Sequence, residues 1–425
     1  MIHSVKGMRD ILPPSSGVWN EVEAAARRVF ARFNYREIRT PVLEETALFS
    51  RSVGEETDIV SKEMYTFEDR DGSSLTLRPE NTASVLRAYI EHRLDQQPGI
   101  QKLYYIGPMF RRERPQKGRY RQFYQIGAEA IGSDSPAIDA EVIELVVAIL
   151  HELRIEGSDL LINSVGSKES RARYNEALRE QLKDLAPRMC ADCRRRAETN
   201  PLRVLDCKVP EDQPIIEQLP SILDFLDDAD QHHFLRVREF LDDRGIAYTV
   251  KPRLVRGLDY YARTTFEITH GALGAQNAIL GGGRYDGLAE LLGSKVPAPG
   301  IGFSIGEDRL VMTVEGGQSV RPPALDLYIA PMGDTALRYC AALAGDIRKL
   351  NLSVEVGTER KLKRMMELAN KLQARFTLIV GDNEIVTQTY TLKDMASGGQ
   401  ETLTRQALLD RLSGQNRDRQ GAAEE

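Results

Sequence analysis

Apolar positions along the chain alternate between a helical period and a strand period. Trp19, Val22, Ala26, Val29, Phe30 and Phe33 fall at helical spacing, which predicts an amphipathic helix over about 16–34 with Ser15 and Ser16 as candidate caps. Ile38, Val42 and Leu43 then suggest a strand. Pro41 puts it at a sheet edge or interface, because proline cannot donate to a ladder. Residues 64–67 and 75–77, joined across Asp71-Gly72, read as a hairpin. A helix over about 82–94 follows, with Asn81 or Thr82 as its cap.

Two aromatic-rich runs, 103–110 and 123–131, flank a loop carrying Arg114, Pro115, Lys117, Gly118 and Arg119 and read as an antiparallel hairpin. Residues 139–153 form a strongly apolar helix, 160–165 a strand and 167–185 another helix. From about 168 to 245 the texture turns charged and loop-rich, with Pro187, Pro201, Pro210, Pro214 and Pro220. That stretch reads as a helical insertion. Strand texture returns over 246–254 and 264–269, runs into the glycine-rich 280–287, and is followed by strand, turn and helix over 299–310.

Arg321-Pro322-Pro323 marks a boundary. Beyond it, strands at 325–330, 354–356 and 376–380 alternate with helices at 335–350 and 362–372, a separate α/β unit. The expected division is therefore 1–322, with the insertion at about 168–245, then 323–415, then a polar tail over 416–425 without fixed structure.

Composition narrows the class. With 41% hydrophobic and 28% charged residues among 425, the chain has the balance of a soluble protein with ample core, and no apolar run is long enough to span a bilayer. No export pattern stands at the N-terminus and four cysteines make no disulfide framework, so a cytoplasmic location is expected. A net charge of −6 means that any nucleic acid must be met by local patches. Arg360-Lys361-x-Lys363-Arg364 is such a cluster, although alone it reads equally as a solvated helix face.

Candidate chemistry concentrates at the mouth of the aromatic hairpin, in Arg111, Arg112, Arg114, Arg119 and Arg121. Guanidinium forks fit phosphate oxygens, and rigid strands would hold them in place for attack at phosphorus. A solvated edge hairpin is the structural alternative. Glu80 ends a strand, where a carboxylate can hold an ammonium group. Arg309 stands in the first turn of a helix, where the positive end of the helix adds to an anion site. The glycines of 281–283 fit neither a P-loop nor a dinucleotide fingerprint, and read as a place where backbone bends or approaches a ligand. Cys190-x-x-Cys193 with Cys207 is half a zinc site, with no second pair or histidine to complete it. These three are read as structural thiols, with no metal site expected. His232 and His233 point in different directions on a helix and make a poor metal pair.

Three features in order carry a resemblance: a strand ending Arg39-Thr40-Pro41, the hairpin Phe110-Arg111-Arg112-Glu113 to Arg119-Tyr-Arg-Gln-Phe123, and Gly300-x-Gly302-Phe303 to Gly306-x-x-Arg309. They resemble the three signature motifs of class II aminoacyl-tRNA synthetases. Leu77-Arg78-Pro79-Glu80-x-Thr82, Arg256-Gly-Leu-Asp-Tyr260-Tyr261 and Gly-Gly-Gly-Arg284-Tyr285-Asp286 narrow the likeness to the histidyl-tRNA synthetase family in its bacterial form. The resemblance covers nearly the whole chain. It implies an α+β catalytic fold, a mainly antiparallel sheet of six or seven strands flanked by helices, plus a C-terminal α/β domain like that family's anticodon-binding domain. It also implies a homodimer with Arg39-Thr40-Pro41 at its interface.

The same resemblance implies ATP-dependent ligation of L-histidine to tRNA(His) through a histidyl-adenylate. Arg111, Arg256 and Arg309 are the implied catalytic cations. Arg111 would bridge the α-phosphate and the substrate carboxylate, Arg256 would add charge at the α-phosphate, and Arg309 would sit by the γ-phosphate. Glu113, Arg119 and Arg121 would help to seat ATP, with Mg²⁺ on its β,γ-phosphates. Glu80, Thr82 and Gln125 would accept from the α-ammonium, Glu129 and Tyr261 would pair the imidazole nitrogens, and Tyr260 would be a neighbouring wall. Asn81 departs from the glycine common in the family. The alternative is the family's non-catalytic paralogue, the histidine-sensing regulatory subunit of ATP phosphoribosyltransferase. The persistence of Arg111, Arg256 and Arg309 and the full C-terminal domain speak against it.

Overall fold

The computed structural model describes residues 2–54, 57–116, 118–273, 277–317 and 325–414. Lys117, the Arg321-Pro322-Pro323 boundary signal and the tail over 416–425 lie outside them. The chain divides into two compact units, Met1–Val320 and Arg321–Glu425. Among the described residues no helix is long and apolar enough to cross a membrane.

The first unit begins with helix α1 (Ser15–Arg32), strands β1 (Arg36–Glu37) and β2 (Leu43–Glu45), helix α2 (Thr46–Val53), strands β3 (Tyr65–Glu68) and β4 (Ser74–Leu77), and helix α3 (Thr82–Glu91). Its central pair is β5 (Gln101–Phe110) and β6 (Gln122–Ile131), followed by α4 (Pro136–Glu152), β7 (Ser158–Ser164), α5 (Lys168–Leu185), α6 (Ala191–Thr199), α7 (Gln213–Ile216) and α8 (Asp228–Asp243). It closes with β8 (Thr249–Val250), β9 (Ala262–His270), β10 (Ala278–Arg284), α9 (Leu288–Leu291), β11 (Gly300–Gly306) and α10 (Glu307–Gly317). Eight strands form one mixed sheet in the order β1-β5-β6-β11-β10-β9-β7-β8, and β2, β4 and β3 form a small second sheet.

The main sheet is antiparallel except at its margins, where β1 runs parallel to β5 and β8 parallel to β7. These two-residue strands raise the count above the six or seven implied by the resemblance. Pairing alternates the side chains of β6 and β11 between two faces. Ile126, Ala128 and Ala130 on β6, with Ile301, Phe303 and Ile305 on β11, enter a core built with α1, α4, α8 and α10. The other face holds the cavity described below.

Several local expectations are corrected. The helix α1 starts without a side-chain cap, Pro14 standing where Ser15 or Ser16 was expected. The single strand around Pro41 is two strands in different sheets, since proline interrupts the ladder between them. Neither Asn81 nor Thr82 caps α3 through its side chain; Glu80 does, accepting from the amides of Thr82 (2.7 Å) and Ala83 (3.0 Å). The strand expected over 246–254 shrinks to β8, which Pro252 stops from extending. No turn separates β11 from α10. His233 is buried and bonds Asp139 (2.9 Å), a structural contact between α8 and α4.

In the second unit, β12 (Leu327–Pro331), α11 (Asp334–Arg348), β13 (Val354–Val356), α12 (Leu362–Lys371) and β14 (Phe376–Val380) follow the predicted alternation. The sheet continues through α13 (Asp382–Thr387) into an unforeseen hairpin, β15 (Thr389–Asp394) and β16 (Gln400–Thr404), and a helix starting at Arg405. The strand order is β13-β12-β14-β15-β16. The hairpin is rich in Thr and charged residues, and only alternate positions such as Tyr390 and Leu392 are buried, so its apolar signal is thin.

Candidate active site

A cavity of about 290 Å³ opens on the face of the main sheet opposite the helical core. Its floor is short of side chains. On β6 and β11 Gln125, Ser304 and Gly306 line it, with Gly281 beside them on β10, while Tyr105 lies over Gly127, the partner of Ser304. Side chains there would fill the space. A Cβ on Gly127 would lie 2.4 Å from the Tyr105 ring, and one on Gly281 would lie 1.7 Å from the Arg256 guanidinium.

Four guanidinium groups line this cavity: Arg111, Arg119, Arg256 and Arg309. The Arg111 Nε donates to the Pro79 carbonyl (2.9 Å), and its guanidinium lies over the Phe123 ring (5.4 Å). These contacts fix the fork just beyond the end of β5. Glu113 pairs with Arg119 (2.9 Å) and lies within 4.0 Å of Arg111. Arg309 leaves the first turn of α10 and donates to the Ala278 carbonyl (2.7 Å). Burial and the nearby charge of Arg119 hold its pKa below the ordinary arginine value. Mutual repulsion of this kind leaves a site short of negative charge, and it is relieved when an anion enters.

Arg256 is held by Glu267 of β9 at 2.5 Å. Burial opposes its charge, but Glu267 and neighbouring groups outweigh that and raise its pKa. Its Nε is buried with no hydrogen-bond partner among the described residues.

The same cavity also carries an acidic and aromatic group of side chains. Thr82, Tyr105, Gln125, Tyr260 and Tyr261 line it with Glu80. The Tyr260 and Tyr261 rings lie 4.8 Å apart, and Tyr285 meets Tyr260 edge-on at 6.1 Å. Gln125 Oε1 is a buried acceptor without a partner among the described residues. Burial raises the Glu80 carboxyl above its usual range despite the two amides that bond it, and raises the Tyr261 hydroxyl to about 12. Glu129 is buried directly behind: its Oε1 accepts from Thr82 Oγ1 (2.8 Å) and its Oε2 from Tyr285 Oη (2.7 Å). Burial pushes its carboxyl up to about 8, against the pull of those two hydroxyls.

The structure thus brings Glu80, Thr82, Arg111, Glu113, Arg119, Gln125, Arg256, Tyr260, Tyr261 and Arg309 to one cavity. Two expected residues stand off its wall. Glu129 lies behind Thr82, and Arg121 turns toward the N-terminal segment, donating to the carbonyls of Glu113 (3.4 Å) and Lys6 (3.3 Å). Four contributors escaped the sequence reading: Tyr105, Glu267, Tyr285 and Ser304. Tyr285 lies in the Gly-Gly-Gly-Arg-Tyr-Asp run and could have been found there. Glu267 is exposed as a partner only once the register sets it opposite Gly281.

The arginines can gather phosphate and carboxylate oxygens, and the acidic and aromatic groups can hold an ammonium group and a polar ring. Comparison with known proteins bears on the chain as a whole. The family model for histidyl-tRNA synthetase matches residues 7–310, and the model for the anticodon binding domain matches residues 326–415. A histidine–tRNA ligase of Solibacter usitatus is 69% identical over 412 residues, covering 97% of this chain and 99% of that one. A histidine–tRNA ligase of Koribacter versatilis is 57% identical over 421 residues, covering 96% of this chain and 95% of the relative. Among solved structures, apo histidyl-tRNA synthetase of S. aureus superposes with a TM-score of 0.82 at 40% identity, over 97% of this chain and 100% of that one.

Proposed function

The chain belongs to the histidyl-tRNA synthetase family, and from that premise we propose how its cavity carries out the ATP-dependent ligation of L-histidine to tRNA(His). In the first step a carboxylate oxygen of histidine attacks the α-phosphorus of ATP, and pyrophosphate leaves. In the second the terminal adenosine of the tRNA attacks the activated carbonyl and AMP leaves.

The observation that carries the assignment of roles is the convergence of Arg111, Arg256 and Arg309 over a floor of glycine. Two anions must meet for the first step, and fixed cations reduce their repulsion before any bond forms. Arg111 spans the α-phosphate and the carboxylate. Arg256, its Nε without a partner, adds charge on the α-phosphate, and Arg309 takes the γ-phosphate. Glu113 and Arg119 orient the nucleotide as an ion pair. Arg121 keeps the hairpin loop against the N-terminal segment, so its part in ATP binding is indirect. Mg²⁺ would supply charge on the β,γ-phosphates; Glu113, Glu267 and Asp308 are hard oxygen donors nearby and are already paired with arginines, so the phosphates and water would supply most of its ligands.

For histidine, Glu80, Thr82 and Gln125 accept from the ammonium, with the unpartnered Gln125 Oε1 as a ready acceptor. Tyr261 and Glu129 address the two ring nitrogens. A hydroxyl bonds each Glu129 oxygen, which leaves each a further lone pair, so a ring N–H would share an oxygen with Thr82 or Tyr285 and a near-isostere without that N–H would leave it unpaired.

We also infer a homodimer and a cytoplasmic setting. Val42 and Leu43, beside Arg39-Thr40-Pro41, are 37% and 41% exposed, and a hollow lined by Pro41, Leu48, Ile90 and Leu292 together with five charged side chains adjoins them. Sedimentation should give twice the chain mass, and Leu43→Glu should halve it; a monomeric parent would refute the dimer.

The deciding experiment is ATP–pyrophosphate exchange with each of the twenty amino acids supplied separately. Exchange with histidine alone is expected, and Arg256→Ala should abolish it while the protein stays folded. Near-normal exchange in that variant would remove Arg256 from the chemistry.

A further inference from the structure

Away from the cavity, three thiols and one carboxylate converge in the segment between α5 and α7. Cys190 caps the start of α6, Cys193 lies in its first turn, Cys207 follows a 3-10 turn, and Asp212 ends the next one. The ligand atoms of these four residues all lie within 4.8 Å of one another. Cys190 Sγ is 3.9 Å from Cys207 Sγ, and Cys207 Sγ is 3.2 Å from Asp212 Oδ2. In a tetrahedral zinc–thiolate site with bonds of about 2.3 Å, neighbouring sulfurs stand about 3.8 Å apart. The cluster therefore has the span of such a site.

The surroundings are also those of a metal site. The amide of Cys193 donates to Cys190 Sγ (3.4 Å) and that of Val209 to Cys207 Sγ (3.4 Å), which stabilises thiolates. The Cys190 amide holds both oxygens of Asp212, at 3.1 and 3.2 Å. Asp212 is 1% exposed, and a carboxylate so placed among thiols calls for a cation.

We propose that Cys190, Cys193, Cys207 and Asp212 bind one structural Zn²⁺ ion. Binding releases one proton from each thiol and makes three sulfur bonds and one oxygen bond. The half-site read from the cysteines alone is completed by a carboxylate five residues after Cys207. The segment it closes also reaches the cavity: Arg203 donates to the Arg256 carbonyl (3.1 Å), and Asn200 donates to Asp259 Oδ1 (3.3 Å). The ion would brace, from outside, the backbone that carries Arg256.

The test uses the full chain, purified reduced and without a histidine tag, with zinc read by mass spectrometry after gel filtration. One zinc per chain is expected, released in step with mercurial titration of three thiols. A Co²⁺-exchanged sample should show sulfur-to-metal charge transfer and intense tetrahedral bands. Cys207→Ser and Asp212→Asn should each weaken zinc against a chromogenic chelator by about tenfold or more. Zinc-free protein with freely titrating thiols after refolding with zinc would overturn the proposal, as would a Cys190–Cys207 disulfide or full zinc retention by Cys207→Ser. If a variant fails to fold, the stoichiometry and cobalt spectrum of the parent still decide. None of these readouts depends on the role given to Arg256.

Discussion

The two faces of the eight-stranded sheet are made by the same strands and differ by one step along each. On β6 and β11, Ile126, Ala128, Ile301, Phe303 and Ile305 fill one side completely. Their immediate neighbours Gln125, Ser304 and Gly306 leave the other side open. The alternation of a strand lets one segment be core and site at once. The packed face gains stability from every methyl group it holds, and the open face works because methyl groups are missing. Errors on the two sides should therefore be read by different instruments.

The largest effect is expected from adding one carbon to the open face. A Gly281→Ala Cβ would meet Arg256 Nη2 at 1.7 Å and Cζ at 2.0 Å, and the side chain must swing aside. Adenylate formation should fall about 10²–10³-fold, as when a positioned charge donor is lost. The swing also takes the guanidinium away from Glu267, so the thermal midpoint should fall as well, but by less than for the core deletion below. Normal pyrophosphate exchange in this variant would show that the bare floor is not what positions Arg256.

Removing carbon from the packed face should do the reverse. Ile126→Ala should cost about 2–5 kcal/mol in the unfolding of the first unit, read by urea titration. Exchange per folded molecule should stay near the parental rate. A variant that stays stable but loses activity would erase the distinction between the faces.

The smallest effect concerns the boundary between them, at Glu129. Its carboxyl is pushed up to about 8 in the folded protein. The fold therefore binds this proton more tightly than the unfolded chain does. Stability is greatest below the usual carboxyl range, falls as pH rises toward about 8, and levels off above it. Glu129→Gln should flatten that slope in a series of thermal midpoints, and it should weaken histidine use far more than ATP use. An unchanged slope would mean that the carboxylate is already charged at low pH.

Much of this division was legible in the residues. The hairpin of β5 and β6, the arginines at its mouth and the acidic Leu-Arg-Pro-Glu turn could be read because each joins a strong local pattern to a distinct chemistry. What could not be read depends on register. Nothing local says that Gly281 stands opposite Glu267, or that Glu129 shares its oxygens with Thr82 and Tyr285. Arg121 looked equivalent to Arg119 in sequence, yet Arg119 lines the cavity and Arg121 turns to the carbonyls of Glu113 and Lys6. Asp212 carries no signal of its own in the sequence, because carboxylates are common and only the fold brings it to the three cysteines. The hairpin of β15 and β16 was missed for a different reason, its few buried positions lying among threonine and charged residues.

The carboxylate that caps α3 gives the protein a means of reporting on itself. Glu80 accepts from the amides of Thr82 and Ala83 while it also faces the cavity. A cation arriving at Glu80 must share oxygens with those two amides, so their exchange with deuterated water becomes a gauge of occupancy that needs no label on the substrate. The first turn of one helix would record whether the cavity is full.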